Sequence, residues 1–402
     1  MFNTIEEALK SFKEGNPIIV VDDESRENEG DIIFPADAAT QEKMNLCASE
    51  ARGLICIAID KAIADRLELK PMNSNHKDNF HTAFYDSVDA IQDLGITTGI
   101  SAKERTITAK HIANELSNAA DFIKPGHLFP VVAKENGVLV RHGHTEAAVD
   151  LCRLTDHVPA AIICEIMNQE GDMLRRDGIF DFAQKHSLPI ISIQQIIEYR
   201  YSTENHMELV SSANLPTQFG EFIIKVFNNK ITGQEHVVLM NNLNDKVTPP
   251  IVRIHSECLT GDIFGSKRCD CQSQLRGALT KIAETKHGYL IYLRGQEGRG
   301  IGIGNKVAAY NLQENGFDTY EANVELGLPE DARDYQDAIW ILQKLNVNNF
   351  GIITNNPQKI NALKKAKFEF NQIILEAVVN THNIKYLNDK IDIAHHNIKL
   401  PL

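Results

Sequence analysis

Short, β-branched apolar runs recur along the chain with amphipathic helical segments between them, and this alternation restricts the fold more than any other feature. Pro17-Ile18-Ile19-Val20-Val21, Ala160-Ala161-Ile162-Ile163-Cys164 and Gly288-Tyr289-Leu290-Ile291-Tyr292-Leu293 are bounded by polar or turn residues, the signature of buried strands. Similar runs predict strands over 128–133, 137–140, 189–191, 220–227, 236–240, 250–255 and 350–353. Thr4-x-x-Glu7 is a capping box, followed by Ile5, Ala8, Leu9 and Phe12 on one helical face and by Gly15 as a stop. A second box, Ser101-x-x-Glu104, opens a helix to about Leu116, and further helices are expected over 145–154, 180–185, 272–284, 306–315 and 336–345. The segment 241–245 reads as a turn, and 201–216 as a polar, aperiodic boundary. The expected architecture is α/β to α+β: two mixed-sheet domains, 1–203 and 204–402.

Composition narrows the function classes. A net charge of -13 without a basic run disfavours nucleic acid as a partner. The apolar runs are too short to span a bilayer, and the opening Met1-Phe2-Asn3-Thr4-Ile5-Glu6-Glu7 is unlike a signal peptide, which predicts a cytoplasmic protein. Of seven cysteines, Cys47, Cys56, Cys152 and Cys164 are scattered and read as small core residues. The others form Cys258-x10-Cys269-x-Cys271. Three thiolate ligands leave a zinc ion one position for water; a structural zinc completed by a fourth ligand, with His255 nearby, and core or redox cysteines are the alternatives.

The surroundings of the cysteines point to phosphate. Gly295-Gln296-Glu297-Gly298-Arg299-Gly300-Ile301-Gly302-Ile303-Gly304 joins a predicted strand to a predicted helix, where exposed backbone amides and a helix N-terminus cradle anions. It lacks the Gly-Lys-Ser/Thr of a Walker A loop, and its glycines can equally serve a turn. Thr354-Asn355-Asn356-Pro357-Gln358-Lys359 repeats the strand-to-helix arrangement, and Arg253 and Arg333 add cations. Asp331 and Arg333 are either a surface pair or a proton acceptor beside an electrophilic clamp.

Arg253-Ile254-His255-Ser256-Glu257-Cys258-Leu259-Thr260-Gly261-Asp262, Arg268-Cys269-Asp270-Cys271, Gln296-Glu297-Gly298-Arg299, Tyr320-Glu321-Ala322-Asn323, Asp331-Ala332-Arg333-Asp334 and Thr354-Asn355-Asn356-Pro357 resemble GTP cyclohydrolase II over about 215–374. The resemblance implies Zn²⁺ on Cys258, Cys269 and Cys271 activating water for attack on the purine ring of GTP, with release of formate and of pyrophosphate, the latter assisted by Mg²⁺. It implies Asp331 as proton acceptor and Arg333 as nucleophile or transition-state clamp. Arg253, Ile254, His255, Ser256, Glu257, Gln274, Glu297, Gly298, Arg299, Tyr310, Thr319, Thr354 and Lys359 would bind GTP, with glutamate and glutamine reading the guanine edge. The tail after Glu376 follows that family only loosely.

In the N-terminal half, Asp22-Asp23-Glu24-Ser25-Arg26-Glu27-Asn28-Glu29-Gly30-Asp31 crowds carboxylates after a buried strand. It is either a solvated acidic loop or a site for a hard divalent cation. Arg141-His142-Gly143-His144-Thr145-Glu146 and Lys124-Pro125-Gly126-His127 place histidines at junctions, and Glu165 ends an apolar strand where burial would raise its pKa. These segments, with Gly53-Leu54-Ile55-Cys56, Thr97-Thr98-Gly99-Ile100-Ser101 and Gly143-His144-Thr145-Glu146-Ala147-Ala148-Val149-Asp150-Leu151, resemble 3,4-dihydroxy-2-butanone 4-phosphate synthase over about 5–200. The resemblance implies Mg²⁺ or Mn²⁺ on Glu27 and His144. It implies ribulose 5-phosphate held by Arg26, Glu27, Asp31, Arg141, His144, Thr145 and Glu165, with proton transfer by His127 and Glu165. Ser25, Tyr85 and Asp86 depart from that family's pattern. Together the halves resemble the bifunctional enzymes of riboflavin biosynthesis, and both families imply a homodimer. The rival expectations are an inactive N-terminal half, or a zinc-stabilised nucleotide-binding module without chemistry.

Overall fold

The computed structural model describes residues 1–72, 82–242, 249–318 and 320–398, and the chain divides into two compact units, Met1–Thr203 and Glu204–Leu402. The first unit contains β1 (Ile18–Val21), β2 (Gly30–Pro35), β3 (Arg52–Ile59), β4 (Val88–Ala90), β5 (Phe122–Val132), β6 (Ala160–Ile166) and β7 (Ile190–Ser192). They form one mixed sheet in the order β4-β5-β3-β6-β2-β1-β7. The β1–β7 and β3–β5 pairs are parallel, and β1–β2, β2–β6, β3–β6 and β4–β5 are antiparallel. The apolar residues of β1, β2 and β6 are buried on both faces, which is why these strands read as unbroken apolar runs. The helix Ile5–Lys13 has both halves of its capping box, and its Ala8, Leu9 and Phe12 are buried.

The second unit contains β8 (Met207–Thr217), β9 (Gly220–Asn229), β10 (Glu235–Asn242), β11 (Ile251–Ser256), β12 (His287–Leu293), β13 (Asn349–Ile353) and β14 (Glu369–Ile373), in the order β14-β13-β11-β12-β10-β9-β8. The β11–β12, β11–β13 and β13–β14 pairs are parallel, and the rest antiparallel. The helix Cys271–Thr285 packs Ala278, Leu279 and Ile282 with Leu290 and Ile353 of the sheet. Pro357 occupies the first turn of the helix Pro357–Lys365, with Asn356 capping it.

Several expectations are corrected. The segment 201–216 is not aperiodic coil: it holds the end of the helix Ile193–Thr203 and nearly all of β8. Most of β8 is exposed on both faces, so it carries no apolar alternation for the sequence to display. Residues 137–139 form one 3-10 turn rather than a strand, because Asn136 enters it in the left-handed region at φ 65°. The helix capped by Ser101 stops at Ala113, since Asn114 turns extended. The helix expected from 306 begins at Gly302. Asn241 and Asn242 belong to β10, and 243–245 lie outside the described residues. No helix among the described residues is long and apolar enough to cross a membrane.

Candidate active sites

The turn that follows β11 carries Cys258 into the short helix Leu259–Asp262, and Cys269 and Cys271 lie just before and at the start of the helix Cys271–Thr285. The three sulfurs lie within 4.8 Å of one another. Gly261 makes this possible. A Cβ on it would lie 2.8 Å from Cys269 Sγ and 3.0 Å from Cys258 Sγ, so only glycine lets the thiols converge. Sharing hydrogen bonds with Cys269 and Cys271, and facing Lys306, Cys258 is pulled well below the ordinary thiol pKa while the other two are raised. A divalent cation bound here would take the cysteines as thiolates and displace their protons. This donor set fits zinc.

His255 does not complete the cluster. Its Nε2 lies 3.0 Å from both oxygens of Asp262; Asp262 also accepts hydrogen bonds from Cys258 N and Tyr292 Oη. The histidine braces the backbone of Cys258 through Asp262 instead of offering a fourth ligand.

Glu297 is buried, and its carboxylate accepts hydrogen bonds from Leu259 N and Lys306 Nζ, each at 2.5 Å. It is not among the residues that line the two cavities beside the cysteines, and its carboxylate holds Lys306. Lys306 Nζ also lies 3.2 Å from Cys258 Sγ and 2.8 Å from Thr260 Oγ1. Asp262 closes the motif that begins at Arg253, but the sequence assigned no role to it or to Lys306.

The glycine-rich stretch delivers Arg299. Gly298, Arg299 and Gly300 all adopt positive φ, at 60°, 68° and 87°; glycine takes this conformation freely, but Arg299 is strained. Its carbonyl is fixed by Ala332 N at 2.9 Å and its guanidinium lies 3.6 Å from the centroid of the Tyr320 ring.

Two cavities adjoin the cysteines. One, of about 1140 Å³, is lined by Cys258, Cys269, Cys271, Arg299, Tyr310 and Arg333, with Ser256, Glu257 and Gly298 at its wall. The other, of about 650 Å³, takes in Arg253, His255, Gln274, Thr354 and Lys359. Ile254 lines neither cavity: alternation along β11 turns its buried side chain to the other face, and its carbonyl accepts Lys359 Nζ at 2.8 Å. Thr319 lies outside the described residues. Burial, reinforced by Arg253 and Arg333, pushes the Lys359 ammonium well below its ordinary pKa. Arg253 Nε, Gln274 Nε2 and Arg299 NH1 are buried with no hydrogen-bond partner among the described residues. Such donors imply a polar, anionic occupant.

Arg333 and Asp331 form a two-point pair, Nε–Oδ1 2.8 Å and NH2–Oδ2 2.5 Å. Burial works against the Arg333 charge, but the Asp331 hydrogen bonds and the neighbouring Tyr335 outweigh it and raise its pKa further. The ion pair with Asp331 therefore favours the charged guanidinium.

In the first unit, the loop after β1 folds around buried Asp22, which accepts hydrogen bonds from Arg26 NH1, Glu27 N and Glu29 N at 2.9–3.0 Å. The acidic stretch is therefore an ordered, internally bonded loop. Asp31 lies outside it, on β2, where burial and the facing carboxylates of Glu165 and Glu27 raise its pKa well above the ordinary value. His144 opens the helix His144–Leu154, and its Nδ1 is 3.9 Å from Glu27 and from Asp31. Asp22, Glu27 and His144 have ligand atoms within 4.8 Å of one another. Burial lowers the His144 pKa, and its Nε2 has no hydrogen-bond partner among the described residues. A neutral imidazole beside carboxylates fits a divalent cation.

His127 Nδ1 lies 2.6 Å from Asp89 Oδ2, and its backbone N–H donates to Asp89 Oδ1 at 2.9 Å. Glu165 faces Asp31 across β6 and β2 and accepts Leu54 N at 3.0 Å. The expected burial of Glu165 is only partial: β6 is the central strand of the sheet, but Glu165 stands near its end and is half-buried. Arg141 is held by Glu146 at 2.5 Å and Thr82 at 3.1 Å, and Thr145 is buried beside it in sequence. Tyr85 packs against the core, and Asp86 is fixed through its backbone to Lys70. Glu146 belongs to the 141–146 segment already visible in the sequence, only five residues from Arg141. The sequence assigned no role to Asp89 or to Arg175, which tethers the carbonyls of Glu27 and Asn28, because these two act across long sequence separations.

Comparison with known proteins agrees with this geometry. Family models for 3,4-dihydroxy-2-butanone 4-phosphate synthase and GTP cyclohydrolase II match residues 6–199 and 208–374. The riboflavin biosynthesis protein RibBA of Bacillus subtilis is 47% identical over 98% of this chain and 99% of its own length, and that of Aquifex aeolicus is 46% identical over 98% of each. The chain belongs to the bifunctional RibBA family. Like other members, it is an enzyme of riboflavin biosynthesis that combines the two activities named by its family matches. Among solved structures, RibBX, a two-domain 3,4-dihydroxy-2-butanone 4-phosphate synthase from A. baumannii, covers 94% of this chain at 27% identity with a TM-score of 0.63.

Proposed function

We propose that the unit 204–402 hydrolyses GTP to a diaminopyrimidine ribosylamine 5'-phosphate, formate and pyrophosphate, and that the unit 1–203 converts ribulose 5-phosphate to 3,4-dihydroxy-2-butanone 4-phosphate and formate. The observation that carries the first reading is the convergence of three cysteine sulfurs within 4.8 Å beside a cavity lined by Arg253, Arg299, Arg333 and Lys359. Zn²⁺ held by Cys258, Cys269 and Cys271 would supply Lewis acidity for hydrolysis. Arg333 clamps phosphate charge, and Asp331 orients Arg333 until the substrate draws the guanidinium away, freeing the carboxylate to accept a proton. Gln274, with its unpartnered amide, is the group placed to read the base.

In the first unit, Glu27 and His144 hold Mg²⁺ or Mn²⁺, which would stabilise charge on vicinal substrate oxygens, and Asp22 shapes their loop. Arg26, Asp31, Arg141 and Thr145 hold the sugar phosphate. Asp89 fixes the tautomer of His127, leaving Nε2 for proton transfer, and Glu165 is the partner acid–base. The enzyme is taken to be a cytoplasmic homodimer.

Incubating GTP with the purified chain tests the first reading: formate, pyrophosphate and a diaminopyrimidine chromophore should appear, and Cys269→Ser should lose zinc and all three products. The same variant should still turn over ribulose 5-phosphate when Mg²⁺ is supplied. Full GTP turnover by zinc-free Cys269→Ser would refute the assignment.

A further inference from the structure

The family match in the second unit ends at residue 374, yet the chain beyond it returns to the cation-lined cavity. The helix Ile384–Asp392 and the residues after it bring Tyr386, Lys390, His396 and Ile398 to its wall. Several contacts hold the segment there. Leu387 is fully buried, Asn397 N donates to Asn355 O at 3.1 Å, and Lys385 Nζ reaches Gly316 O and Phe317 O at 3.3 and 3.1 Å. Lys390 Nζ lies 2.7 Å from Oδ1 of Asp270, the buried residue between Cys269 and Cys271. The tail is thus pinned to the loop that carries two of the metal-site thiols.

Charge shows what the pinned tail is for. Five cationic side chains, Arg253, Arg299, Arg333, Lys359 and Lys390, line this cavity against the one lining carboxylate of Asp270. An ammonium has three donors, and among the described residues Asp270 is the only hydrogen-bond partner of the Lys390 ammonium, which also lies 4.5 Å from the centroid of the Tyr386 ring. His396 sits in the same field: burial, and then the charges of Lys390, Arg333, Lys359 and Arg299, depress its pKa to about 3. A cavity with this surplus of positive charge is complementary to a polyanion.

We propose that the C-terminal segment completes the nucleotide site, with Lys390 and His396 as phosphate-binding residues supplied from outside the family-matched domain. The inference rests on the GTP reading above and adds the tail to the residues that recognise the triphosphate. Lys390 then has two partners in turn: Asp270 in the free enzyme, and Asp270 together with phosphate oxygens when nucleotide is bound. Conversely, a tail that only pins the loop would affect every ligand equally.

The test is titration of the full-length, zinc-loaded chain with α,β-methylene-GTP, inorganic pyrophosphate and guanosine. Lys390→Ala should weaken the methylene analogue and pyrophosphate by roughly 10- to 100-fold, the loss of one charge-assisted hydrogen bond, and guanosine by less than about twofold. Lys390→Arg should recover most of that loss, and His396→Gln should weaken the same two anions by a smaller factor. Zinc content and the unfolding of Trp340 fluorescence check that each variant is folded; if Lys390→Ala fails that check, Lys390→Arg and His396→Gln carry the test. Equal weakening of guanosine and the anions, or no change in either, overturns the proposal. If the unsubstituted chain binds pyrophosphate through Lys390 but not the GTP analogue, the GTP reading fails while the tail remains an anion site; if it binds neither, both fail.

Discussion

Replacing Gly261 by alanine puts a methyl group where the metal-site sulfurs meet. The added carbon would lie 2.8 Å from Cys269 Sγ, 3.0 Å from Cys258 Sγ and 3.0 Å from Cys271 Cβ, whereas unbonded heavy atoms of this kind settle at about 3.5–4.0 Å. Relief requires the thiols to part by several tenths of an ångström, and zinc–sulfur bonds near 2.3 Å tolerate only about 0.2 Å of error. Overpacking of this kind costs about 1–3 kcal/mol, which, if expressed in the metal site, weakens zinc binding by roughly 5- to 150-fold. The assay is zinc competition against a chromophoric chelator, with the thiolate-to-metal charge-transfer band of the Co²⁺ form reporting geometry. Gly304→Ala is the internal control. Nothing lies within 4 Å of its added carbon, and it sits in the helix Gly302–Glu314, so it should be neutral or stabilising by up to about 1 kcal/mol. A Gly261→Ala protein with unchanged zinc affinity and an unchanged Co²⁺ spectrum would refute the claim that this glycine sets the sulfur spacing.

Two further outcomes follow from buried or strongly bonded charges in the first unit. Asp150 accepts hydrogen bonds from Arg200 NH1 at 2.7 Å and Val138 N at 2.8 Å, and burial already raises its pKa; Arg200→Met should therefore destabilise that unit by about 3–5 kcal/mol. The chain has a single tryptophan, Trp340, in the second unit. The loss should thus show in a circular-dichroism unfolding transition that Trp340 fluorescence does not follow, and coincident, unshifted transitions would contradict it. Glu104 accepts from the side chain and backbone of Thr97 and from Ser101, which depress its pKa from 4.5 to about 2. A carboxyl whose folded value lies below its unfolded value adds stability above the unfolded value and loses it as pH falls toward the folded one. Glu104→Gln should accordingly flatten the acid destabilisation of the first unit between about pH 4.5 and 2; an unaltered acid profile would show that these hydrogen bonds do not favour the ionised form.

What the sequence determined by itself was local. The Thr4–Glu7 capping box, the Pro357 helix start and the Cys258-x10-Cys269-x-Cys271 spacing all involve residues close along the chain, whose geometry follows from helix and turn stereochemistry. Strands buried on both faces, such as β1 and β6, were legible as apolar runs for the same reason, whereas exposed β8 was not. Tertiary structure alone decided how the charged groups were paired. Lys306 and Leu259 N converge on Glu297, Asp89 fixes His127 from another strand, and Asp270 meets Lys390 across 120 residues of chain. A charged side chain can meet many partners in sequence, and only folding, through the cost of burying it unpaired, selects one.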